Sequence, residues 1–112
     1  MTQEPAAEYL GHILEAARLA CSYVKALSKE DFLADTRTQQ AVIFNIVIIG
    51  EAAARLTRDH PGFVGLHQEV PWKSMKGMRN RIAHGYFDID LNIVWDTVQT
   101  ALPQLIETLA AI

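Results

Sequence analysis

Ala41-Val-Ile-Phe-Asn-Ile-Val-Ile-Ile49 is the stretch on which the fold turns. Its β-branched residues suit a buried strand as well as a helix. The flanks favour the helix. Gln39-Gln40 before it and Glu51-Ala-Ala-Ala-Arg-Leu56 after it are good helix formers, and apart from Gly50 no turn residue intervenes until His60-Pro61-Gly62. The pattern predicts one helix from Thr38 to His60. Apolar on most sides, it must be covered on most sides. It is either the central helix of a monomeric bundle or, the reading favoured here, the surface shared between two subunits.

Upstream, Leu10, Ile13, Leu14, Ala17, Ala20, Cys21, Val24 and Leu27 recur every three or four positions, predicting a first helix from Pro5 to about Leu27. Ser28-Lys-Glu-Asp31 has the spacing of a capping box and opens a brief helical turn at Phe32-Leu33. Downstream, Pro61 to Val70 holds two glycines and a proline and reads as a loop, after which Pro71-Trp72 starts a helix that Gly85 ends. Asp88 or Asp90 caps a last helix whose apolar residues Leu91, Trp95, Val98, Leu102, Leu105, Leu109 and Ile112 form one seam. Pro103 has no N–H for the carbonyl four residues back, so a kink is expected near Gln99. The expected architecture is all-α: a single domain over residues 1–112, a bundle of four main helices with a short extra helical turn.

Half of the 112 residues are apolar and the net charge is -3, which excludes a disordered or collagen-like chain. Counted with glycine in place of tyrosine, the apolar share is about 53%, above the roughly 45–50% of soluble domains. A domain of this size buries only about 65% of its unfolded surface, so a partner or second copy is expected to cover the surplus. One cysteine, Cys21, and four scattered histidines give no zinc-type cluster, so neither a metal nor another cofactor is expected. The Ala41–Ile49 run falls short of a membrane span and the first twenty residues are interrupted by charges, which points to the cytoplasm.

The charge is unevenly placed. No acid lies between Glu69 and Asp88, whereas Lys73, Lys76, Arg79, Arg81 and His84 do. That segment either holds phosphates, with Trp72, Tyr86 and Phe87 available to stack on bases, or is an ordinary solvated face beside core aromatics. Within it, Arg79-Asn-Arg-Ile-Ala-His84-Gly-Tyr86 offers a guanidinium to stabilise a phosphate in transfer and an imidazole to move protons, enough for metal-free cleavage of RNA. The spacing alone is weak, because Arg55-Leu-Thr-Arg-Asp-His60 repeats it; that second copy sits at a helix end without basic surroundings and reads as structural. Five residues of ideal helix is about 500°, leaving Arg79 and His84 some 140° apart. Either the helix loosens before Gly85, or two subunits contribute to one cleft. Asn80 shares a face with His84 and is placed to orient the imidazole or bind a ribose. Glu51, an acid in an apolar helix, would be costly to bury unpaired, so it either pairs with Arg79 or Arg81 or lies exposed at an interface rim. His12, His67, Met75 and Met78 read as solvent-facing or core.

Asp31-Phe-Leu-Ala-Asp35, Ile49-Gly-Glu-Ala-Ala53, Val70-Pro-Trp72, Gly77-Met-Arg-Asn-Arg-Ile-Ala-His-Gly-Tyr-Phe87, Val94-Trp95 and Leu102-Pro103 occur in order along nearly the whole chain. Together they resemble the HEPN domain (higher eukaryotes and prokaryotes nucleotide-binding) of the HepT-like toxin branch. The resemblance implies a bundle of four or five helices, a homodimer with a composite cleft, and a metal-independent endoribonuclease toxin. It maps the catalytic pair to Arg79 and His84 with Asn80 in support. It also implies a minimal nucleotidyltransferase antitoxin, in a dimeric or higher assembly, that adenylylates Tyr86. Lys73, Lys76 and Arg81 are the expected RNA contacts. The alternative is a non-catalytic module that binds a nucleotide, RNA or protein, or a purely structural adaptor.

Overall fold

A computed structural model describes residues 4–112 and shows no strand among them. Its helices are α1 (Ala6–Val24), α2 (Lys29–Leu33), α3 (Thr36–Asp59), α4 (Pro61–Leu66), α5 (Trp72–His84), α6 (Leu91–Asp96) and α7 (Leu102–Ala110). A 3-10 turn, Tyr86–Asp88, follows α5, and a π-helical turn, Thr97–Ala101, joins α6 to α7 in one continuous run. The four long pieces, α1, α3, α5 and α6–α7, form the all-α bundle. α3 lies at the centre, packed by α1 and α5, and α1 also packs on α7.

The disputed apolar stretch is helical because its ends are fixed. Asp35 caps α3, its carboxylate accepting from Thr38 N–H at 3.1 Å and from Thr38 Oγ at 2.6 Å. Both buried polar residues of α3 are satisfied by carbonyls. Gln39 Nε2 donates to Phe32 and Leu33 at 3.0 and 3.1 Å, and Asn45 Nδ2 donates to Ala41 at 2.9 Å. By length and composition α3 would suffice to cross a bilayer, but it is packed as the core helix between α1 and α5. Its outer face remains open: Phe44 is 65% exposed, and Val47 and Ile48 are half-buried beside it.

α1 and α3 are tied at one end by polar groups. Asp59 accepts from Arg58 Nε at 2.7 Å and from Tyr9 Oη at 2.8 Å, which holds its carboxyl down at about 2, and His60 Nε2 lies 2.7 Å from the Glu4 carbonyl. The Arg58–His60 end of that segment therefore serves the fold. The capping box forms as expected between Ser28 and Asp31, and Phe32 is fully buried with Trp95 at 5.3 Å.

Two expectations need correction. Pro61 to Val70 is not wholly a loop, because Pro61, pre-set for a helical first turn, starts α4 and Val64 is buried beneath it. Trp72 is unavailable for stacking. It is 5% exposed, and its indole N–H donates to the His67 carbonyl at 2.9 Å, which joins the start of α5 to the end of α4.

The irregularity expected near Gln99 takes the form of the π turn. Leu102 N–H bonds the Thr97 carbonyl, five residues back. The Val98 carbonyl thereby loses its usual donor, and Pro103, next in line, has no N–H to offer. Cys21 Sγ from α1 fills the vacancy at 3.7 Å.

α3 and α5 come close together at Gly50. A methyl group there would lie 2.7 Å from the Met75 carbonyl oxygen and collide with Arg79 Cβ. Alanine in a helix interior normally gains about 1 kcal/mol over glycine, but overpacking a tight contact costs about 1–3 kcal/mol. Since the Met75 carbonyl is backbone and cannot swing aside, the cost lies in the upper part of that range, about 2–3 kcal/mol, and Gly50→Ala is expected to destabilise the protein by a net of about 1–2 kcal/mol in urea unfolding. A variant as stable as the parent would mean that α5 has room to move.

Candidate functional site

α5 starts at Pro71 and buries Trp72, Met75 and Ile82, leaving its basic residues on the remaining faces. Among the described residues Lys73, Lys76 and Arg81 form no ion pair. Arg79 does. Its Nη1 donates to Glu51 Oε2 at 2.7 Å, while Nε and Nη2 both donate to Asn80 Oδ1 at 3.0 and 2.7 Å. Glu51 also accepts from Arg55 Nε at 3.2 Å. Hydrogen bonds from Arg79 and then Arg55 hold its carboxyl below the usual carboxylate range, against a smaller opposing effect of burial. The guanidinium is thus fixed by three bonds to two side chains. Gly50, next to Glu51, lets α5 approach closely enough for the bond to Glu51 to form.

Of the two partners suggested for Glu51, the structure selects Arg79. The carboxylate is half-exposed rather than buried. Asn80 turns its oxygen to Arg79, not its amide to His84. His84 is exposed at the last position of α5 and makes no hydrogen bond with Arg79, which lies on another side of the helix, or with Asn80, which shares its face but is engaged by Arg79. One copy of the chain therefore leaves the guanidinium and the imidazole apart. Tyr86 is 51% exposed in the 3-10 turn, and Phe87 beside it is 97% exposed; their rings meet edge to face at 5.7 Å.

The basic residues border different surfaces. Lys73 and Arg81 rim a groove of about 470 Å³ between α5, α3 and α7, floored by Ile46, Ile49, Met78 and Leu105. Lys76 lies outside it. On the other side of α3, a groove of about 330 Å³ runs past Val47, Ile48, Glu51 and Arg55 to His12. His12 is solvent-facing, as expected, but it shares this groove with the partner of Arg79. Glu4, Glu8 and His12 bring three possible metal-donor atoms within 4.8 Å of one another, on side chains that are exposed or half-exposed.

Sequence reasoning missed Gly50 and Arg55. The signal for Gly50 was present: a glycine inside an otherwise strong helical pattern costs stability unless something packs against it. Arg55 stands four residues after Glu51, the spacing of a helical ion pair.

The family model described as "Ribonuclease HepT-like" matches residues 13–112. The chain is 41% identical over 98 residues to "Probable ribonuclease HepT" of Thermococcus cleftensis, covering 88% of this chain and 86% of that protein. It is 37% identical over 97 residues to "Putative RNase TTE0752" of Caldanaerobacter subterraneus subsp. tengcongensis, covering 87% and 84%. A Methanocaldococcus jannaschii protein named "Putative RNase MJ0127" is 33% identical over 112 residues, covering 100% and 90%. No solved structure gives a significant match.

The Glu51–Arg79 pair is partly solvated, with side-chain exposures of 45% and 26%, so its loss costs about 1 kcal/mol or less. The lowered Glu51 pKa gives the sign of the pH effect: the stabilisation is complete above the unfolded-state value of about 4.3 and is lost as pH falls through the lower folded-state value. Glu51→Gln is expected to reduce stability by that amount at neutral pH and to match the parent in acid, measured by urea unfolding across pH. An equal deficit at both ends would show that the charge is not responsible.

Proposed function

We propose a function from one premise: the chain belongs to the ribonuclease HepT-like family, and the relatives it resembles are named as RNases. On that basis the protein is an endoribonuclease that cuts RNA without a metal, using Arg79 and His84. The observation that carries this reading is the Arg79 guanidinium, held by Glu51 and Asn80 on the helix that ends in His84. A fixed guanidinium placed to meet the non-bridging oxygens of a phosphodiester stabilises the charge that builds there during transfer.

The proton transfers fall to imidazole. A neutral His84 takes the proton from the ribose 2'-hydroxyl as its oxygen attacks phosphorus, and a protonated imidazole gives one to the departing 5'-oxygen. The products are a 2',3'-cyclic phosphate and a free 5'-hydroxyl. Two copies of the chain supply both imidazoles and overcome the separation of Arg79 from His84 within one copy. The open face of α3, with exposed Phe44, supports such a homodimer. Lys73, Lys76 and Arg81, unpaired among the described residues, are suited to phosphates along the strand.

Such an enzyme working in the cytoplasm needs restraint, and the proposed role is that of a toxin neutralised by a nucleotidyltransferase antitoxin. Tyr86 is the acceptor: its ring is half-exposed two residues after His84. An AMP attached there adds a phosphate and a base beside the cleft, repelling and blocking RNA.

Purified protein is expected to cleave RNA in EDTA, with Arg79→Ala and His84→Ala each slowing cleavage by about 10²–10⁴-fold while leaving the helical circular dichroism unchanged. Cleavage that EDTA abolishes would overturn the metal-free chemistry. If His84→Ala leaves both RNA binding and the cellular effect intact, the non-catalytic binding module is the correct reading. Coexpression with the nucleotidyltransferase is expected to add the mass of AMP to the parent protein and not to Tyr86→Phe. Neutralisation without that added mass would rule out this route of control.

A further inference from the structure

We propose that the Phe87 ring is a stacking platform for one unpaired base of the RNA, next to the phosphate being cut. The inference rests on the nuclease reading above and adds to it a binding site for a nucleobase. Phe87 is 97% exposed, more than any other large apolar side chain among the described residues. The fold does not use it. The turn is closed by main-chain groups, Asp88 N–H donating to the Gly85 carbonyl at 2.9 Å, which any side chain at position 87 would allow. The one aromatic partner is Tyr86, met edge to face at 5.7 Å and 85°. That contact steadies the ring and leaves a flat π surface in water.

The position suits a base. Phe87 follows His84 by only three residues, so the two lie within about 10 Å along the chain, within reach of neighbouring nucleotides of one strand. Before the turn, α5 carries Lys76, Arg81 and His84, whereas Asp88 is the turn's last residue. A strand therefore keeps its phosphates over the helix and away from Asp88, and what reaches Phe87 is a base. Cations tracking the backbone beside an aromatic face are the usual means of holding single strands. A protein partner is the weaker fit. Protein-binding hot spots sit within a surrounding patch that excludes water, whereas Phe87 is 97% exposed and its chain neighbours Tyr86 and Asp88 are exposed as well. The broad apolar surface is elsewhere, around Phe44.

The test uses the full chain with His84→Ala, so that the probe is not cut, and a short single-stranded RNA carrying one 2-aminopurine. Binding is read by anisotropy at two salt concentrations and stacking by quenching of 2-aminopurine emission. Phe87→Ala in this background is expected to weaken binding about tenfold, with the salt dependence unchanged and the quenching lost. Phe87→Trp is expected to restore both, and Phe87→Leu, apolar but not flat, to behave like alanine. Equal rescue by leucine, alanine binding within twofold of the parent, or a changed oligomeric state on sedimentation would each overturn the platform. Cleavage by the chain with His84 intact is assayed first. If it neither binds nor cuts RNA, the nuclease reading falls and this proposal with it. If it cuts normally and only the Phe87 effect is missing, the platform alone is wrong.

Discussion

The absence of a side chain at Gly50 is the constraint on which the rest depends. Without a β-carbon, α3 presents bare backbone to α5, and Met75 and Arg79 settle into contact with it. Glu51 then meets Arg79 from one side while Asn80 holds it from the other. Core packing and the geometry of the site are therefore one problem. A larger residue in that gap would both push two helices apart and move the guanidinium.

The same central helix answers two demands. Toward α1 and α5 it buries Val42, Ile46, Ile49, Ala53 and Leu56, and its two buried amides spend their N–H groups on carbonyls, so the interior carries no unmet polar cost. Outward it shows Phe44, Val47 and Ile48. An apolar helix with one dry face and one wet face explains why the composition exceeds what a chain of this length hides by itself.

Much of this was legible because the relevant signals are local. The capping box at Ser28–Asp31, the start of α5 at Pro71, its end at Gly85 and the disturbance before Pro103 each follow from the hydrogen-bond capacity of a few adjacent residues. Even the ambiguous Ala41–Ile49 run was decided by its flanks. What stayed hidden depends on contacts distant in sequence. α4 forms because Val64 finds cover, and Trp72 turns inward because the His67 carbonyl needs a donor. Neither follows from periodicity. For the site, the Glu51–Arg79 pairing could be anticipated from the cost of an unpaired acid, whereas the choice of Asn80 for Arg79 over His84 could not. The separation of Arg79 from His84 within one chain was legible from the helical repeat itself.

The oxygen that Asn80 places between Nε and Nη2 of Arg79 has a thermodynamic consequence. It sits on the edge of the guanidinium that a phosphate would grip with two bonds, and being tethered one residue away it competes at a high effective concentration. A small free anion with nothing else to hold must displace it for little net gain. A polyanion that touches the surface at several points draws the energy for that exchange from its other contacts. The Arg79 guanidinium is thereby selective for ligands that bring further contacts over loose anions.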